Sequence, residues 1–189
     1  MIDETALTKI FASLQYAARK HRFQRRKSGD ETPYINHPIS VVETLWSIGG
    51  VRDPAVLVAA VLHDTVEDTD ATLDEIEAVF GADVRALVAE VTDDKNLPKP
   101  ERKQLQVERA SRLSPGAKLI RLADKAWNVY DVGCTPPADW PHGRRVEYLA
   151  WTERVVAGMR GCNEALEAHY DSILAGARAQ LAADEARAH

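Results

Sequence analysis

The chain has 189 residues, of which 45% are apolar and 28% charged. These proportions suit one ordinary globular domain and exclude a collagenous, disulfide-stapled or fully disordered polypeptide. With 24 Lys and Arg against 29 Asp and Glu, the net charge is −5 with neutral His. A generic nucleic-acid binder is more often basic, so any polyanion here has to be met by a local patch. Two cysteines, Cys134 and Cys162, are too few for a secreted disulfide framework and lack zinc-knuckle spacing, which points to a reducing compartment. No stretch approaches the ~18 apolar residues of a membrane span. The opening MIDETALTKIF places acidic residues where a signal peptide needs basic ones. The expectation is a soluble cytoplasmic protein without membrane or nucleic-acid partners; oligomeric state is not readable.

In chain order, Leu7, Ile10, Phe11, Leu14 and Ala18 form one stripe of an amphipathic helix. It leads into a basic cluster from Arg19 to Lys27 and breaks at Ser28-Gly29-Asp30. Asp53-Pro54 is an N-cap followed by Pro at the first helical position. The run Ala55 to Leu62 is apolar on every face and predicts a core helix. Thr72 and Glu75 have capping-box spacing before a short helix closed by Gly81, and Val84, Leu87, Val88 and Val91 repeat the helical stripe. Residues 93–100 are expected to be a loop. Ser114-Pro115 opens another helix, Gly133 to Pro141 is a rigid loop, and helices are expected over about 142–159 and 162–180. Without period-two runs or internal repeats, the class is all-α, a compact multi-helix domain over residues 1–180 with a frayed tail at 181–189.

The chemistry concentrates at the end of the apolar run. His63 and Asp64 stand where polar residues should be scarce, although a His near a helix C-terminus also suits the dipole. Glu67 lies four residues after His63, and Asp68 four after Asp64. If the helix continues, four ionisable groups share one end, and a bound cation compensates the repulsion among carboxylates. Asp124 falls among the core-facing positions Ala117, Ile120 and Trp127, where a lone carboxylate needs a cation or a hydrogen-bonding shell. Arg121 and Lys125 are the mundane partners, but both are displaced from that stripe. Asn128 shares the Asp124 face. His37 precedes Pro38 at the start of a predicted helix and, taken alone, reads as a surface or capping residue. Together His37, His63, Asp64 and Asp124 form a mixed nitrogen and oxygen set. Such a set suits a first-row divalent ion with open positions, and Mn²⁺, Fe²⁺, Zn²⁺ and Mg²⁺ are not separated by ligand type.

The order His37, His63-Asp64, Asp124 resembles the H…HD…D signature of HD-domain metal-dependent phosphohydrolases. The segments RRKSGDETPYINHP (25–38), AAVLHDTVEDTDATLDEIEAVFG (59–81), LVAEVTDDKNLPK (87–99) and SPGAKLIRLADKAWN (114–128) resemble the hydrolase domain of RelA/SpoT proteins. The likeness extends over roughly residues 5–175 and points to the single-domain small alarmone hydrolases typified by the metazoan SpoT homologue. It implies an HD-domain fold, with no room in 189 residues for the synthetase and regulatory domains of the long proteins. It also implies that His37, His63, Asp64 and Asp124 hold a metal, typically Mn²⁺, and that Glu67 and Asp68 are the catalytic acidic pair. Arg26, Lys27, Lys99, Asn128 and Tyr148 would surround the nucleotide. The implied reaction is hydrolysis of guanosine 3′,5′-bis(diphosphate), or its 5′-triphosphate analogue, to GDP or GTP and pyrophosphate. The alternatives are an HD phosphohydrolase acting on another nucleotide, such as the 2′-phosphate of NADPH, a deoxynucleotide phosphatase, and a non-catalytic sensor; the intact Glu67-Asp68 pair speaks against the last.

Overall fold

Every named element in the computed structural model, which describes residues 3–27 and 31–188, is helical; the sole departure among them is an isolated β-bridge between Arg25 and Pro33. The elements are α1 (Glu4–Lys20), α2 (Asn36–Ser47), α3 (Pro54–Leu62), α4 (Thr65–Asp68), α5 (Leu73–Phe80), α6 (Ala82–Val91), α7 (Lys99–Arg109), a 3₁₀ turn (Ala110–Arg112), α8 (Pro115–Cys134), α9 (His142–Ala157) and α10 (Glu164–Ala188). The all-α expectation holds. The predicted break at Ser28-Gly29-Asp30 lies outside the described residues.

Local chemistry sets the helix starts. Asp53 accepts from Ala55 N–H ahead of Pro54, and Ser114 accepts from Ala117 N–H ahead of Pro115. At Thr72 both halves of the capping box form, satisfying two otherwise orphaned donors. Gly81, at φ 98°, lets α5 end and α6 begin around one residue, a left-handed conformation that a side chain would strain.

The core is built on α3 and α8. Residues Val56 to Leu62 of α3 are all buried, as expected for a helix apolar on every face. Helix α8 buries Ala117, Ile120, Leu122, Ala123, Ala126, Val129 and Val132, and carries Arg121, Asp124 and Lys125 inside with them. It packs on α10, α2, α6, α3 and α9. Against α10 the approach is close, because a Cβ at Gly133 would stand 2.7 Å from Ala177 Cβ and 2.9 Å from its Cα.

Several boundaries and faces differ from the sequence reading. In α1 the buried residues are Ala6, Ser13 and Ala17, Ile10 and Leu14 pack half-buried against the core, and Leu7 and Phe11 are exposed; the stripe holds at two large apolar residues and fails at the other two. The expected loop at 93–100 ends at Pro98, and α7 follows with no fully buried residue, so its polar sequence had no apolar stripe to announce it. Helix α8 takes in Gly133 and Cys134, which shortens the next loop to 135–141. The tail does not fray at 181: α10 continues to Ala188, with Leu181 buried and Asp184 paired with Arg145 at 3.1 Å. Among the described residues no helix is long and apolar enough to cross a membrane.

Candidate active site

His63 is the residue on which α3 stops, and Asp64 leads into α4. Thr65 Oγ1 donates to Leu62 O at 2.6 Å, and His63 Nδ1 lies 2.8 Å from Ala60 O. The helix end is thereby satisfied by side chains. The carbonyl also sets the tautomer: Nδ1–H donates, and the Nε2 lone pair is turned inward. Because Asp64 and the following residues stay near helical geometry, with Asp68 N–H bonded to Asp64 O at 2.8 Å, Glu67 and Asp68 remain one turn from the His-Asp pair.

The other donors arrive from α2 and α8. His37 is buried near the start of α2, which corrects the surface or capping role expected of it in isolation. Its Nε2 lies 3.1 Å from Asp124 Oδ1 and 3.8 Å from Asp64 Oδ2. His63 Nε2 lies 2.9 Å from Asp64 Oδ2 and 3.7 Å from Asp124 Oδ1. Ligand atoms of His37, His63 and Asp124 fall within 4.8 Å of one another. His63 Nε2 is buried and forms no hydrogen bond of acceptable geometry, despite its nearness to Asp64. A buried polar atom left in this way is costly. An inward lone pair facing two carboxylates is the environment of a divalent cation, and the donor set fits one.

The electrostatics agree. Burial alone would lower His63, but the Asp64 and Asp124 carboxylates outweigh it and push its pKa up to about 10; a proton there does the work of a cation. Burial would raise both carboxylates, yet His63 holds Asp64 below its ordinary range, and Lys125 followed by the two histidines holds Asp124 well below. His37 is lowered by burial and by Arg26.

Lys125 answers the question about the mundane partner of Asp124. Though displaced from the stripe, its buried side chain bends back to place Nζ 3.1 Å from Asp124 Oδ2. Arg121 does not join it, donating instead to Val91 O at 2.7 Å. Lys125 thus occupies one oxygen of Asp124, while the other faces His37 and accepts from Asn128 Nδ2 at 2.6 Å.

A cavity of about 480 Å³ opens beside these groups, lined by Asp64, Glu67, Asp68, Asp124 and Asn128 and, at its rim, by Arg26, Lys27, Lys95, Lys99 and Arg102, with Tyr148 and Trp140 along one wall. All the expected site residues except the buried His37 and His63 line it. Glu67 Oε2 accepts from Asp93 N–H at 3.1 Å, and Arg102 Nη1 stands 3.6 Å from Oε1. Burial raises the Glu67 pKa, partly offset by the Asp93 amide. Asp68 accepts from Gln24 Nε2 at 3.0 Å and from Lys95 Nζ.

Arg26 is brought in by a chain reversal. Its N–H bonds Thr32 O at 2.9 Å, and Tyr34 N–H bonds Gln24 O at 3.1 Å. The Arg26 guanidinium then donates to Asp131 Oδ2 at 2.6 and 3.1 Å and to Asn128 Oδ1 at 2.9 Å. Tyr34 OH donates to Asp64 Oδ2 at 2.6 Å. Sequence reasoning missed Gln24, Tyr34, Lys95, Arg102, Asp131 and Trp140, and it weighed Lys125 only as the mundane partner of Asp124. Of these, Asp131 carried a usable signal, lying seven residues after Asp124 on the same helix face; the others are placed by tertiary contacts.

The HD-domain family matches residues 13–139. Human guanosine-3′,5′-bis(diphosphate) 3′-pyrophosphohydrolase MESH1 is 56% identical over 84% of this chain and 88% of its own, and the Drosophila melanogaster MESH1 is 51% identical over 87% and 92%. A solved structure, described as a metazoan orthologue of SpoT that hydrolyses ppGpp and plays a role in starvation responses, superposes with a TM-score of 0.85. It has 51% identity and covers 87% of this chain and 93% of that one. A match over most of the chain, half or more of the residues shared with these relatives and a common fold lead to one conclusion: the chain belongs to the HD-domain family, among the RelA/SpoT-type hydrolases that resemble the metazoan SpoT homologue.

Proposed function

We propose that this protein is a guanosine-3′,5′-bis(diphosphate) 3′-pyrophosphohydrolase, acting in the cytoplasm on ppGpp and pppGpp. The observation that carries the reading is the convergence of His37, His63, Asp64 and Asp124 at the buried wall of a cavity that Glu67 lines and cations surround. The activity named for the MESH1 relatives supports it. In this reading His37, His63, Asp64 and Asp124 would hold a divalent ion, Mn²⁺, which when bound would lower the pKa of a water at neutral pH.

The chain's own groups do the rest. Glu67, anchored by the Asp93 amide and raised by burial, is suited to receive the proton of the attacking water. The new bond forms at the phosphorus carried on the ribose 3′ oxygen, the bond from phosphorus to that oxygen breaks, and the oxygen gains a proton to become a hydroxyl. The products are GDP, or GTP, and pyrophosphate. Asp68, held by Gln24 and Lys95, positions the water and shares the proton with Glu67 as a coupled pair. Arg26, clamped by Asp131, presents a planar fork to phosphate oxygens. Lys27, Lys99, Asn128 and Tyr148 complete the substrate contacts.

Incubation with 3′-labelled ppGpp and Mn²⁺ tests the reading: labelled pyrophosphate is expected, and stepwise orthophosphate or no release would overturn it. Parallel turnover of NADPH at low micromolar concentration separates an alarmone enzyme from a 2′-phosphatase. Asp64→Ala is expected to lose both metal and turnover, whereas Glu67→Ala keeps metal and loses turnover.

A further inference from the structure

Beyond the metal cavity, the surface between α7 and α9 is hollowed into two further depressions. The nearer, about 540 Å³, shares Lys99, Trp140 and Tyr148 with the catalytic cavity and adds Lys103 and Arg144. The farther, about 370 Å³, continues past Lys103 to Trp151 and Arg154. The result is a groove leading out of the site.

Its charge is only partly compensated internally. Among the described residues Lys99, Lys103 and Arg154 have no carboxylate at salt-bridge distance, and Arg144 reaches only Asp139, at 3.9 Å. Glu147 is the one acidic side chain lining the groove. The cations are close enough for each other's fields to oppose their charge: Lys99 is lowered by burial and then by Arg144 and Lys27, and Lys103 by burial and then by Lys99, with Glu147 offsetting part of it. Aromatic rings hold them in this unfavourable proximity. Lys103 Nζ lies 4.5 Å from the Trp151 ring centre and 5.4 Å from that of Tyr148, and the Arg144 guanidinium lies 4.2 Å from Trp140. Cations held against rings, outnumbering the carboxylates beside them and strung along a groove, suit an extended polyanion better than a single ion.

We propose that the groove between α7 and α9 binds the phosphate chain of a nucleotide, with Lys103 and Arg154 as its distal contacts. Resting on the hydrolase reading, this makes the groove the seat of the uncleaved 5′-phosphate chain and gives the enzyme a preference for the longer chain. The 3′ group is cleaved at the metal centre while the 5′ chain runs outward from Lys99 along α7.

The test uses Lys103→Ala, Arg154→Ala, the double variant and Lys103→Arg, all loaded with Mn²⁺. The double variant is expected to raise KM about tenfold for pppGpp and about threefold for ppGpp, a loss falling on KM rather than kcat, with Lys103→Arg restoring most of it. KM values unchanged, or raised alike for both substrates, would overturn the proposal. Binding of GTP and GDP reads the groove without turnover: the wild-type protein is expected to bind GTP more tightly, and the double variant to bind both alike. Equal affinities in the wild type would also overturn it. Wild-type protein that releases no pyrophosphate yet keeps this preference sinks the hydrolase reading and leaves the groove standing; turnover without the preference does the reverse.

Discussion

The backbone amide of Asp93 donates to Oε2 of Glu67 at 3.1 Å, fastening the loop after α6 to the carboxylate beside the candidate metal-binding cluster. The same Asp93 is itself held, its side chain accepting from Gln106 Nε2 at 2.5 Å. Glu67 is therefore positioned from two elements that follow it in sequence, α6 and α7, and its orientation does not depend on the short α4 alone.

Glu67→Gln is expected to retain metal, hold the Asp93 contact and lose pyrophosphate release by at least a hundredfold, the usual scale for a general base. Its stability should change in the opposite sense. Burial raises the Glu67 pKa in the folded protein, so folding binds a proton more tightly than the unfolded chain does. This favourable linkage is complete below the unfolded pKa and is lost as pH rises through the folded value. At neutral pH the ionised carboxylate therefore opposes folding, and metal-free Glu67→Gln is expected to melt higher than wild type. A lower melting temperature at pH 7 would contradict this.

Asp131→Asn tests the clamp on Arg26. The Arg26–Asp131 pair is partly buried and doubly bonded to one oxygen, so loss of charge at Asp131 frees the guanidinium from a fixed pose. Activity is expected to fall about tenfold, on the scale of a lost charged hydrogen bond. Circular dichroism should be unchanged, and the second Asn128 contact limits the loss. Arg26→Lys, which cannot reproduce the fork, should fall at least as far.

Chelation should destabilise as well as inactivate. The buried cluster sets Asp64 and Asp124 against each other, and His63, His37 and Lys125 are the cationic or polar groups that chiefly balance them. A divalent ion at a concentration 100 times its Kd contributes about 2.7 kcal/mol to folding. Thermal melts with Mn²⁺ and after exhaustive EDTA treatment are expected to differ by several degrees in wild type. They should coincide in Asp64→Ala, where no ion is held.

Gly133→Ala should act on the fold without touching the chemistry. The added Cβ would meet the Cα and Cβ of Ala177 at 2.9 and 2.7 Å, so α8 and α10 must separate. A destabilisation of about 1–3 kcal/mol is expected from overpacking, measured by chemical denaturation. Ala177→Gly combined with it should recover part of the loss, because the clash is between these two residues.

What was legible in the sequence was local or periodic. The caps at Asp53, Thr72 and Ser114 each involve residues within three positions, and the all-apolar run of α3 has one physical interpretation, burial. His63-Asp64 stood out because polar groups closed that run, and Asp124 because it broke a core stripe. Where burial did not follow the pattern, the reading failed: α7 buries nothing completely, and in α1 small residues displaced Leu7 and Phe11 from the interface.

By itself, then, the sequence determined the helical class and most helix starts and singled out His63, Asp64 and Asp124, since capping bonds and hydrophobic periods act between near neighbours; His37 joined them as a ligand through the family resemblance. Only the tertiary structure decided that His37 is buried, that Lys125 turns back onto Asp124, and that Arg26 meets Asp131 across 105 positions. These depend on how α2, α8 and the chain reversal before α2 pack around α3. The net charge of −5 likewise resolved only in three dimensions, into an acidic centre and a cationic rim, because a field is set by where charges stand and not by their sum.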